Sequence, residues 1–148
     1  AGREGSATPE LERLMDELDL ARTVRFLGHR EDVPEILAAA DAFVFPSLFE
    51  GLPGAVIEAM ALGLPVVASA IAPLREVIEP GENGLLVPAG SVESLADAVG
   101  PLLEDPARRE ALGRRGRELY EERWTLETSV PRMAELYRSM AAGSHAGR

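Results

Sequence analysis

The stretch Phe45–Ser69, FPSLFEGLPGAVIEAMALGLPVVAS, decides the fold. It reads as the end of a buried strand, a glycine- and proline-rich loop, a short apolar helix and a second buried strand. The helix segment AVIEAMAL is apolar on every side, which predicts burial all round. Glu58 lies inside that run. A buried carboxylate without a partner is costly, so a partner is expected, either an arginine such as Arg75 or a ligand. Glu50 is separated from Glu58 by seven residues. It sits where strand gives way to loop, the place at which ligands approach in open α/β sheets. The amides of Gly51, Leu52 and Gly54 stand at or before the helix start, and Pro53 suits the first helical turn. Donors at a helix N-terminus attract anions. Together these features point to a polar, hydroxyl-rich, anionic ligand.

Working outward, apolar strand runs alternate with helical patterns. Val24–Leu27, Ala42–Phe45, Pro65–Ala68 and Leu85–Val87 read as strands, apolar but for Arg25, as in a parallel sheet covered on both faces. Thr8 and Pro9 open a helix that runs to about Leu18, with Leu11, Leu14, Met15 and Leu18 on one face. Further helices are expected at Val33–Ala40, from Pro73, from Ser91 to Leu103, from Asp105 to about Arg123 and after Thr125. The last carries an apolar stripe of Val130, Met133, Leu136, Tyr137 and Met140. The arginine- and glutamate-rich run before it reads as a solvated helix. The fold class is therefore α/β, a Rossmann-like, doubly wound parallel sheet of about four strands with C-terminal helices. Residues 8–141 form the domain, with unstructured ends at 1–7 and 142–148.

Composition narrows the function. The 148 residues are 46% hydrophobic and 27% charged, enough for one domain with a real core. A net charge of −10 argues against nucleic acid, which needs a basic surface. There is no cysteine, and only His29 and His145 could offer imidazole, so no metal site is expected. All fifteen basic residues are arginine, so no lysine can clamp a phosphate. No apolar run is long enough to span a bilayer. With no signal pattern either, the expected location is the cytoplasm. A dinucleotide-binding fold of the ordinary kind is disfavoured, because no G-x-G-x-x-G follows the first strand.

Four blocks occur in order: VRFLGHREDVPEILAAADAFVFPS, EGLPGAVIEAMALGLPVVAS, REVIEPGENGLLVPAG and DPARREALGRRGRE. In this order they resemble the C-terminal, nucleotide-sugar-binding domain of family 4 (group 1) glycosyltransferases, which have the two-domain GT-B architecture. The resemblance implies a retaining, metal-independent transfer of a sugar from a nucleotide diphosphate sugar to an unknown sugar, lipid or small-molecule acceptor, without a further cofactor. By position, Glu58 would hold the ribose hydroxyls and Glu50 would contact the sugar and support the transition state. Gly51, Leu52, Pro53 and Gly54 would face the diphosphate or sugar. Leu27, Gly28 and Arg30 would lie near the nucleobase.

The family's domain begins with two further strands and follows an acceptor domain, neither of which is recognisable here. The expectation is thus a partial domain, with Val24–Leu27 and Ala42–Phe45 as strands 3 and 4 of a 3-2-1-4-5-6 sheet. An acceptor domain would be the missing partner and the route to the inner membrane face. The competing readings are a non-catalytic nucleotide-sugar-binding module and a truncated, inactive fragment.

Overall fold

The computed structural model describes residues 2, 5 and 7–143. The chain divides into two compact units, residues 1–36 and 37–148. Most of the expected unstructured start, and residues 144–148 of the expected tail with His145, lie outside the described residues.

The first unit holds α1 (Thr8–Glu17) and the beginning of α2 (Val33–Ala38). Pro9 stands in the first turn of α1, but the N-cap residue is Ala7, which has no side chain to cap with. Thr8 instead accepts a hydrogen bond from the Gly5 amide through Oγ1 at 3.0 Å. The face of Leu11, Leu14 and Leu18 is exposed and α1 buries no residue. Val24–Leu27 is not a strand. A strand exists only through a ladder to a neighbour, and no described strand pairs with these residues. The Val24 amide turns back to the Leu20 carbonyl at 2.8 Å.

The second unit is built on a three-stranded parallel sheet, one strand fewer than expected. β1 (Phe43–Phe45), β2 (Val66–Ser69) and β3 (Leu85–Val87) lie in the order β1-β2-β3. Phe43 pairs with Val66, and Val67 with Leu85. All four residues of the central strand are buried, as a parallel sheet flanked by helices requires. Val67 and Val87 join Leu102 and Leu112 in the core, with Leu85, Leu95, Ala98 and Val99 packed around them.

Around the sheet run α3 (Gly54–Ala61), α4 (Ala72–Arg75), α5 (Val92–Glu104), α6 (Pro106–Arg123) and α7 (Leu126–Gly143). Ser91 caps α5 by accepting from the Ser94 amide at 3.2 Å, and Asp105 caps α6 by accepting from the Arg108 amide at 2.9 Å. Thr125 caps α7 in the same way through Thr128 at 3.3 Å. α7 includes residues 142 and 143, the first two of the expected unstructured tail. Its stripe of Val130, Met133, Leu136, Tyr137 and Met140 is exposed.

The arginine-rich α6 is not a fully solvated helix. It buries Leu112, Gly113, Gly116 and Leu119, and α3 packs mainly on it. α3 ends in a Schellman motif: Gly63, at φ 71°, donates to the Met60 carbonyl, and Leu64 donates to the Ala59 carbonyl, both at 3.0 Å. A Cβ on Gly113 would stand 2.0 Å from the Gly63 carbonyl oxygen, so the backbones touch where the two helices cross. The Arg117 guanidinium donates to the Ala61 carbonyl, and Arg109 donates to the carbonyls of Leu102 and Leu103. Arginines of α6 thus satisfy the open C-terminal carbonyls of α3 and α5. Asn83 is fully buried. Its side chain accepts from the Glu79 amide at 2.7 Å and donates to the Val77 carbonyl at 3.0 Å. It therefore fixes the turn that leads into β3.

Candidate functional site

The loop 46–53 leaves the carboxyl end of β1 and feeds α3. Glu50 is half-buried there, and its Oε1 accepts from the Ser47 hydroxyl at 2.8 Å. The same hydroxyl lies 3.0 Å from the Phe49 carbonyl, so Ser47 ties the carboxylate to its own loop. Pro53 is buried and stands one position before the helix at φ −80°, ψ 57°. These angles make an inverse γ-turn, closed by the Gly54 amide donating to the Leu52 carbonyl at 2.9 Å. Gly54 is therefore not a free donor, contrary to the expected amide set. The amides of Gly51 and Leu52 have no acceptor among the described residues and sit in an exposed part of the loop.

Glu58 departs further from expectation. α3 buries Val56, Ala59 and Met60, while Ala55, Glu58 and Leu62 lie on its exposed side. One face is pressed on the sheet and α6, and with 3.6 residues per turn the opposite face must look outward. Glu58 is thus an exposed carboxylate with no hydrogen bond or ion pair among the described residues, not a buried one. Arg75 is not its partner; its Nε donates to the Ala70 carbonyl at 3.1 Å. The structure thus brings Glu50, the Gly51 and Leu52 amides and Glu58 onto one loop–helix segment. It leaves both carboxylates able to accept from ligand hydroxyls.

Leu27, Gly28 and Arg30 belong to the first unit, and all three are exposed. Gly28 has φ 62°, where glycine alone is unstrained, and its carbonyl accepts from the Gly2 amide at 2.8 Å. Arg30 forks onto Asp32, Nε to Oδ1 at 2.7 Å and Nη2 to Oδ2. The hydrogen bond with Arg30 holds the Asp32 carboxyl below its usual range, and the same bond raises Arg30. Because the folded value of Asp32 is depressed, the contribution of the pair is present above the unfolded carboxyl pKa. It is lost as pH falls through the folded value. The pair is exposed, so that contribution is small. Titration of the Asp32 carboxyl by NMR should read a depressed value, and Arg30→Gln should return it to the ordinary range.

A cleft of about 350 Å³ opens over the carboxyl ends of all three strands, bounded by Pro46, Leu48, Ser69, Pro88, Ser91 and Leu95, among others. None of the residues singled out from the sequence lines it. The signal in the chain was Ser69, a hydroxyl closing the otherwise apolar run VVAS.

Residues 1–119 match the family described as glycosyl transferases group 1. The chain belongs to the group 1 glycosyltransferases. Among curated group 1 relatives, the D-inositol 3-phosphate glycosyltransferase of Corynebacterium urealyticum is 38% identical over 132 residues, covering 88% of this chain and 31% of that one. Sucrose-phosphate synthase from Thermosynechococcus elongatus superposes with a TM-score of 0.87 at 35% identity, over 97% of this chain and 38% of that one. Anabaena Alr3699/HepE, solved in complex with UDP and glucose, superposes with a TM-score of 0.88 at 29% identity, over 93% of this chain and 39% of that one. The chain spans about a third of the length of the curated group 1 glycosyltransferases it matches. The Rossmann-like GT-B fold expected from the four sequence blocks is the fold of these neighbours. Among the described residues, no helix is long and apolar enough to cross a membrane.

Proposed function

We propose that this chain provides the donor-binding part of a retaining glycosyltransferase. It would move a sugar from a nucleotide diphosphate sugar to an acceptor hydroxyl, in the cytoplasm and without a metal or further cofactor. The carrying observation is the single segment after β1 that carries Glu50, two open amides and Glu58. Glu58 accepts from the ribose hydroxyls. Glu50, oriented by Ser47, accepts from the sugar hydroxyls and is the carboxylate nearest the reaction. The Gly51 and Leu52 amides face the diphosphate, where negative charge grows as the sugar departs, so donors fixed in advance lower the barrier. Relatives named as UDP complexes support a nucleoside diphosphate as the ligand.

Thermal unfolding of the chain with UDP, GDP or ADP tests this reading. At 100 times its dissociation constant, the matching nucleotide should stabilise the fold by about 2.7 kcal/mol. A cooperative transition unmoved by all three would overturn it.

A further inference from the structure

The cleft over the strand ends has a chemistry unlike that of the donor segment. No charged side chain lines it; its walls are Pro46, Leu48, Pro88, Val92 and Leu95. Ser69 supplies a buried polar side chain, 1% exposed. Successive strand residues alternate faces, so Ser69 shares the face of Val67, which packs on Leu95, Ala98 and Val99 of α5. That face leads into the cleft. The Ser69 hydroxyl makes no hydrogen bond among the described residues, and it is not among atoms sealed from the surface without a partner. The hydroxyl reaches the cleft and is open to the oxygen of a ligand.

We propose that this cleft is a second ligand site, on the Pro46 and Leu48 side of the donor loop and away from Glu50 and Glu58, that takes a neutral, mainly apolar small molecule carrying one hydrogen-bonding oxygen for Ser69. Neutrality follows from the lining, because neither an anion nor a cation would find a countercharge and each would lose its hydration. A nucleotide, with its phosphates, is excluded for the same reason. The volume lies at the lower end of small-molecule clefts, so the occupant is the size of a substituted ring or a short branched chain. Leu48 and Val92, exposed at the cleft, extend the apolar contact outward.

Benzyl alcohol is a suitable probe, compared with toluene, benzoate and benzylamine by amide chemical shifts of the ¹⁵N-labelled chain. Benzyl alcohol should move Gly90, Ser91 and Leu95 saturably and bind about threefold to tenfold more tightly than toluene. Ser69→Ala should erase that preference while leaving toluene binding in place. Val92→Trp, at an exposed position of the lining, should block all the neutral probes without touching the core. Saturating UDP should leave the response unchanged. The proposal is overturned by equal binding of toluene and benzyl alcohol to the wild-type chain, by tighter binding of either charged probe, by competition from UDP, or by no saturable response.

Discussion

Gly113→Ala should destabilise the chain by about 3 kcal/mol or more, although it adds only one methyl group. The new Cβ would lie 2.0 Å from the Gly63 carbonyl oxygen and 2.9 Å from its carbonyl carbon. Both belong to a backbone held by the Schellman motif that ends α3, so neither can step aside as a side-chain tip would. Relief requires α6 to move away from α3. That movement would loosen Gly116 from Met60 and the Arg117 guanidinium from the Ala61 carbonyl. The measurement is the denaturation midpoint, compared with Gly100→Ala. Gly100 lies in α5, where a would-be Cβ meets only its chain neighbour Pro101, and there the same change should cost much less. Equal midpoints for the two variants would mean that the two helices cross with room to spare.

Glu58→Ala should weaken binding of the matching nucleoside diphosphate by about 10- to 150-fold for each ribose hydroxyl it holds, with little change in stability. Hydrogen bonds to a charged acceptor are worth about 1.5–3 kcal/mol each, and the ribose offers two hydroxyls to one carboxylate. Glu58 is exposed and carries no structural contact among the described residues, so its truncation belongs with ordinary surface changes, within about 0.5 kcal/mol. The separation of the two effects is the point of the experiment. Calorimetric titration with the nucleotide measures the first and urea unfolding the second. A large loss of stability would restore the buried, ion-paired reading of Glu58, whereas unchanged affinity would remove it from the ribose. Glu58→Gln keeps an acceptor but not the charge, and should fall between the two.

The three strands were legible in the chain to within a residue or so, because a parallel sheet covered on both faces needs unbroken apolar runs and Phe43–Phe45, Val66–Ser69 and Leu85–Val87 supply them. The fourth run, Val24–Leu27, is as apolar but for Arg25. Composition shows that a segment suits a strand; it does not show that a neighbour is there to pair with it. The burial of Glu58 was misread for a related reason. Alanine, valine, isoleucine and methionine around α3 say that any face could be buried, and the packing on the sheet and α6 selects the one that is. The buried face of α6 was hidden because two of its members are Gly113 and Gly116, which add no hydrophobicity and matter through the side chains they lack. Glu50 was read at the join of strand and loop and stands within the loop that follows β1. Its tie to Ser47 and the turn that consumes the Gly54 amide depend on loop dihedrals that no side-chain pattern reports.

The bond from Arg117 to the Ala61 carbonyl joins residues 56 apart in the chain. Polypeptides are synthesised at about 5–20 residues per second, so the far end of α3 waits about 3 to 11 s for its clasp to be made. An eight-residue helix does not persist alone in water. During that interval the segment carrying Glu50 and Glu58 is uncommitted chain, although much of what precedes it has been available for longer. The surface proposed to face the nucleotide is thus among the last parts of the sheet unit to take shape. Its assembly is timed by the translation of a distant helix that contributes no residue to it.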